Sequence, residues 1–143
     1  MASRHEAREW AVQLLFQLDY NPGDLATAFE DFWAERQTTA KSRAFVEELV
    51  RGVLANKPAL DALIQSCAQN WRLARMAGVD RNIIRLSTYE MMYRTDIPAV
   101  VSINEAVEAA KSLGDVSSSR FVNGLLDRLR REIEKSKAAG AVS

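Results

Sequence analysis

Apolar residues return every three or four positions along most of this chain, so the polar residues between them gather on one helical face instead of alternating as in strands. Glycine and proline sit at the joints between these runs, while alanine, leucine, arginine and glutamate fill the intervals, which favours helix throughout. The pattern predicts seven amphipathic helices, over residues 3–18, 24–35, 40–55, 58–69, 80–94, 103–113 and 118–135, and no convincing strand. Pro58 suits the first turn of the fourth. Short connections make antiparallel neighbours the expectation, hence an all-α bundle. Segment 71–79, with Arg72, Arg75 and Gly78, reads as a joint between an N-terminal sub-bundle of about residues 1–70 and a C-terminal one of about 79–137. Residues 138–143 have small, unanchored side chains and are expected to fray.

The clearest punctuation lies between Asp96 and Val107. Pro98 lacks an amide proton and pushes Ile97 toward extended backbone, so the fifth helix should stop near Arg94 to Asp96. Ser102 stands three residues before Glu105, the spacing of a capping box, which starts the sixth helix at about Ile103. Gly114 is expected to end it in a left-handed conformation. On the fifth helix Glu90 shares an arc with Val79, Ile83, Leu86 and Ser87, so it should point inward and draw donors from Ser87 or a neighbouring helix N-terminus.

Two helices leave aromatics off their apolar stripes. On the first, Ala7, Ala11, Leu14, Leu15 and Leu18 form the stripe, and Phe16 sits about 150° away beside Glu9, Gln13 and Tyr20, which exposes it. An exposed aromatic is either an unremarkable surface residue or a partner anchor. On the seventh, Val122, Leu125, Leu126, Leu129 and Ile133 face inward, and Phe121 lies at the edge of the stripe near Arg120 and Arg128. A half-exposed ring flanked by arginines suits stacking on single-stranded RNA; it equally describes a boundary core residue beside a solvated basic face.

Composition narrows the chemistry. A chain of 143 residues with 48% hydrophobic residues holds one sizeable core. Net charge is zero, so nucleic-acid binding would need local asymmetry, and there is some: residues 19–35 are acidic, whereas Arg72, Arg75, Arg81, Arg85 and Arg94 outnumber Asp80 and Glu90, and the tail from Arg120 is basic. The single cysteine, Cys67, permits no internal disulfide and reads as a buried thiol. With His5 as the only histidine, no Ser-His-Asp triad or histidine-rich metal site can be built, and no phosphate loop or dinucleotide fingerprint appears. The expectation is a protein with no catalytic residues, metal or cofactor. No run reaches the roughly 18 apolar residues of a membrane span, and no signal-peptide core appears, which predicts a cytoplasmic location.

A family resemblance runs through these residues. Arg85-Leu86-Ser87-Thr88-Tyr89-Glu90, Asp96-Ile97-Pro98, Val101-Ser102-Ile103-Asn104-Glu105-Ala106-Val107-Glu108, Ala110-Lys111 and Arg120-Phe121-Val122-Asn123-Gly124-Leu125-Leu126-Asp127 resemble the C-terminal half of the bacterial NusB family. Ala7-Arg8-Glu9, Ala11-Val12-Gln13 and Leu15-Phe16 are similar to its start, and the likeness is weakest over residues 22–41. The resemblance implies a seven-helix, non-catalytic transcription antitermination factor that pairs with NusE, a small-subunit ribosomal protein. It further implies binding of boxA-type single-stranded RNA in ribosomal RNA leaders and an indirect link to the elongating RNA polymerase. Carried over residue by residue, RNA binding falls on Arg4, Arg8, Ser117, Arg120 and Phe121, and NusE binding on Phe16, Tyr20 and Asp80.

Two departures matter. His5 and Glu6 interrupt Arg4 and Arg8 where many relatives carry a denser arginine run, which thins the charge of the first helix. Asp115-Val116-Ser117-Ser118-Ser119 replaces a loop that bears an acidic residue in some relatives, and Ser117 would relieve its repulsion of phosphate. The alternatives are a helical interaction adaptor without RNA binding, or the NusB-like domain of a ribosomal RNA cytosine methyltransferase, for which the chain would have to be a fragment. The residue pattern decides neither for nor against a homodimer.

Overall fold

A computed structural model of the chain describes residues 3–142, with side chains as far as residue 140. Among the described residues there are seven α-helices and one 3-10 turn: α1 (Arg4–Tyr20), α2 (Leu25–Ala34), α3 (Ala40–Ala55), α4 (Lys57–Cys67), the turn (Leu73–Arg75), α5 (Gly78–Tyr93), α6 (Ala99–Leu113) and α7 (Ser118–Val142). Side chains fix several starts: Ser3 accepts from the Glu6 amide at 3.0 Å, Asp24 from Thr27 at 3.1 Å and Thr39 from Ser42 at 3.1 Å. α7 runs past the expected stop near residue 135, because Glu132 to Ala139 contain only good or neutral helix formers. Residue 143, the last of the tail expected to fray, lies outside the described residues.

The bundle is organised around α5, which packs against α1, α3, α4, α6 and α7. Of its residues, Asn82 through Met91 are all buried, so the helix is not amphipathic as its arginines suggested. Among the buried polar residues on it, Asn82, Arg85, Ser87, Thr88 and Glu90 are paired, and Asp80 Oδ1 is not. Arg85 donates to both Asp61 oxygens, at 2.7 and 2.9 Å, and to Asp19 at 3.3 Å, tying α4 and α1 to α5. Arg81 reaches Asp19 at 2.7 Å. One cluster of buried apolar side chains runs through all seven helices, with Leu14, Leu49, Ile64, Ile84, Ala110 and Leu126 among its members. Cys67 is buried, as expected.

The start of α6 differs from the expected capping box. α6 begins four residues earlier, at Ala99, with Pro98 at the N-cap, where its fixed φ suits helix entry. The Ser102 amide therefore already donates to the Pro98 carbonyl, at 3.1 Å. The Ser102 hydroxyl turns inward to the Glu90 carboxylate, at 2.7 Å, and lies 2.9 Å from Ser87 Oγ. Arg8 Nε donates to the other Glu90 oxygen at 2.9 Å. A buried carboxylate needed donors more than an exposed helix start needed a cap. Gly114 ends α6 with φ −93° and ψ −170°, extended and not left-handed.

Glu105, released from capping, instead holds α1. His5 Nδ1 lies 2.9 Å from it and His5 Nε2 lies 3.2 Å from Glu9. The hydrogen bond to Glu105 raises the His5 pKa above its ordinary value, the charges of Glu9, Glu105 and Glu108 add to this, and desolvation opposes it. A raised folded-state pKa means the contribution to stability is fully present below the unfolded-state value near 6.5 and is lost as pH rises through the folded-state one. The native protein is therefore expected to be more stable than His5→Ala at pH 5.5, with the difference fading by pH 8.5. Equal differences in urea midpoint at both pH values would remove the charge-based account.

Candidate nucleic-acid interface

The turn Leu73–Arg75, the first turn of α5 and the first turn of α7 meet around an open cavity of about 350 Å³, lined by Trp71, Arg75, Met76, Ala77, Asp80, Ser117, Arg120 and Phe121. The edge of one ring meets the face of the other between Trp71 and Phe121, with centroids 6.0 Å apart and planes at 70°. Phe121 is half-buried and Trp71 is 55% exposed. Arg75 and Arg120 are exposed at the rim and form no ion pair among the described residues. The cavity thus combines aromatic faces with free cations, the composition that holds a base and its phosphate.

The loop before α7 is built by Asp115. Its Oδ1 accepts from the Ser117 amide at 3.0 Å and the Ser117 hydroxyl at 2.9 Å, and the Ser118 hydroxyl lies at 3.3 Å. The Ser117 hydroxyl, with its amide, holds the Asp115 carboxyl below the usual range. Ser117 consequently does not clear this loop of negative charge, as its type alone suggested; the charge sits two residues earlier and occupies its hydroxyl.

The residues expected to bind RNA fall into two places. Ser117, Arg120 and Phe121 come together at the cavity. Arg8 does not join them, because it is buried against Glu90, ten residues and roughly 15 Å along α5 from Asp80. Its guanidinium is engaged in the core by Glu90, apart from the other residues expected to bind RNA. Arg4 is exposed near Arg8, with its guanidinium 3.7 Å from the centre of the Phe45 ring.

The expected partner face also divides. Phe16 is 38% exposed and stacks on Tyr20, 86% exposed, with centroids 6.4 Å apart and planes within 12°. The Phe16 ring lies over Gly78, where an added Cβ would meet it at 2.6 Å; only glycine lets the ring sit against the start of α5. Asp80, two residues on, is turned about 200° around the helix and is buried at the cavity lined by Phe121 and Trp71. Its carboxyl does not stand beside Phe16 and Tyr20. Sequence reasoning missed Trp71 and Arg75 as site residues, although an aromatic followed closely by Arg72 and Arg75 was a usable signal.

Among the described residues no group of His, Cys, Asp or Glu is arranged to hold a metal ion, and no described helix is long and apolar enough to cross a membrane.

The comparisons agree on one family. Residues 5–131 match the NusB family model. The transcription antitermination protein NusB of Myxococcus xanthus (strain DK1622) is 44% identical over 139 residues, covering 94% of this chain and 99% of that protein. The protein of the same name from Bacillus subtilis (strain 168) is 45% identical over 133 residues, covering 93% and 98%. In structure the chain is similar to T. maritima NusB, with TM-score 0.83, 35% identity and 92% of each chain covered. It also shares its fold with a chain in a crystal structure of antitermination factors NusB and NusE in complex with dsRNA, with TM-score 0.82 and 21% identity over 90% of this chain and 96% of that one. On the extent of the family match and the identity sustained along nearly whole relatives, this chain belongs to the NusB family.

Proposed function

We propose that the chain is a non-catalytic antitermination factor that pairs with NusE and, with it, engages boxA-type single-stranded RNA of ribosomal RNA leaders, presenting it to the elongating polymerase. The observation that carries this reading is the cavity at the start of α7, where Phe121 and Trp71 stand beside Arg75 and Arg120. The crystal structure that holds NusB and NusE with dsRNA motivates the choice of partners. NusE takes the Phe16–Tyr20 face, an aromatic pair braced on Gly78, and RNA takes the cavity.

The pair with NusE is expected to bind a boxA oligonucleotide more tightly than either protein alone, read by fluorescence anisotropy. Equal affinity for a scrambled oligonucleotide would overturn sequence recognition. Log affinity should fall with log salt by about 0.7 per phosphate contact, so a flat salt series would remove the arginine surface.

A second reading, an adaptor without RNA binding, is favoured by one observation: Arg8 is locked to Glu90, which leaves α1 with little free positive charge. Loss of RNA binding in Phe121→Ala separates the two.

A further inference from the structure

We propose that His5, protonated between Glu9 and Glu105, is a positioning residue for RNA at the N-terminal end of α1, so that the chain holds single-stranded RNA more tightly when this imidazole carries its charge. The proposal rests on reading the chain as an RNA-binding protein and adds to it a residue and a pH dependence.

The N-terminal end of α1 holds one uncommitted guanidinium. Three arginines surround the Phe45 ring, with Arg4 3.7 Å and Arg8 and Arg94 each 5.7 Å from its centre. Arg8 is taken by Glu90, and Arg94 by Glu48 and Asp96, both at 3.0 Å. Arg4 is exposed and forms no ion pair among the described residues. The ring fixes one face of its guanidinium and leaves the donors to an incoming phosphate.

His5 is the next residue and sets the charge around that cation. Its ring spans carboxylates on two helices, with Nδ1 2.9 Å from Glu105 Oε2 on α6 and Nε2 3.2 Å from Glu9 Oε2 on α1. A neutral imidazole has one N–H and one lone pair, so in either tautomer a lone pair faces a carboxylate oxygen. Only the imidazolium, a donor at both nitrogens, fits both. Glu9 Oε2 is shut off from water and accepts no hydrogen bond, so the charge of the ring is what offsets it. Glu108 on α6 also acts on the ring and is itself held by Lys111 at 3.4 Å. The hydrogen bond to Glu105 and the charges of Glu9, Glu105 and Glu108 outweigh desolvation, so the ring keeps its proton to a higher pH than an ordinary histidine. With the proton, His5 clamps the first turn of α1 to α6 and offsets the carboxylates beside Arg4. Without it the clamp opens on one side, and a phosphate approaching Arg4 meets uncompensated negative charge.

The test follows a labelled single-stranded RNA dodecamer binding to the full chain by anisotropy, at pH 6.0 and pH 8.5 and fixed ionic strength. Affinity is expected to fall about two- to fourfold between the two, the size of one charge acting on a phosphate across roughly 5–10 Å of water. His5→Arg, always charged, should keep the pH 6.0 affinity at pH 8.5, and His5→Gln should bind at both pH values as the unaltered chain does at pH 8.5. Melting curves check that both variants are folded. His5 is the only histidine, so its titration is a single NMR resonance. Its midpoint in the free chain should lie above 6.5 and drop in Glu105→Gln. Bound RNA should raise it by the logarithm of the affinity ratio, about 0.3–0.6 pH units, as reciprocal linkage requires. A midpoint at or below 6.5 would sink the proposal. So would a pH dependence that His5→Gln retains, which would belong to the amino terminus, a group that titrates in the same range. RNA binding that weakens with Phe121→Ala but stays flat with pH leaves the RNA surface standing and removes His5 from it. No binding by the folded chain at either pH ends the RNA reading and the proposal together.

Discussion

Glu90→Ala is expected to destabilise the fold by roughly 3–5 kcal/mol, because removing one partner of a buried ion pair strands the other. Glu90 is 1% exposed, and its oxygens take Arg8 Nε at 2.9 Å and Ser102 Oγ at 2.7 Å. Three helices meet at that carboxylate: α1 through Arg8, α5 through Glu90 and α6 through Ser102. Without it the Arg8 guanidinium stays in a site walled by Val12, Ile83, Leu86 and Ala106, where water is scarce. For a domain of this size the melting temperature should fall by roughly 10–20 °C. The urea midpoint should drop with little change in m, since the surface exposed on unfolding is nearly the same.

The double variant Arg8→Met with Glu90→Met distinguishes a stranded charge from lost packing. Apolar side chains of similar size need no donors, and Ser102 keeps its contact with Ser87, so much of the loss in Glu90→Ala should be recovered. A double variant as unstable as the single one, or a single-variant loss under about 1 kcal/mol, would contradict the role assigned to the pair.

How much of this was legible depended on the range of the interaction. α3 matches its expected span of residues 40–55 because Thr39 caps it locally and Asn56 follows it. Phe16, off the stripe of α1, is exposed, as helical phase predicts; Glu90 is buried as expected, but on α5 every residue from Asn82 to Met91 is buried whatever its phase. Periodicity could not tell that Arg8 and Arg85 are core residues. Their charge marks them as surface until a carboxylate from another helix is placed beside them, and for Arg8 that partner is 82 residues away. The Ser102–Glu105 spacing misled for the same reason: the capping motif is local, and the demand of Glu90 for a donor is not. Asp80 was assigned to the partner face by resemblance, whereas its phase relative to Gly78 turns it to the opposite side of α5. Trp71 lies in a joint with no periodicity, so the sequence offered only its closeness to Arg72 and Arg75, and the fold is what brings it against Phe121.

Phe121→Ala is expected to weaken RNA binding about ten- to a hundredfold, since base–aromatic stacking contributes roughly 1–3 kcal/mol per base. The ring is half-buried and its inner neighbours Val122, Leu125 and Leu126 carry the core side of α7, so the melting temperature should move far less than in Glu90→Ala. Trp71 loses its ring partner, which widens the cavity and removes one face on which a base can stack. Arg75 and Arg120 remain, so the salt dependence of the residual binding should keep its slope even as affinity falls. Binding of NusE should be unchanged, because Phe16 and Tyr20 stand on α1 and against the start of α5. Two outcomes would count against the stacking role. RNA affinity within twofold of the unaltered protein would favour an adaptor that does not bind RNA, and a parallel loss of NusE binding would mean that the substitution disturbs the bundle as a whole.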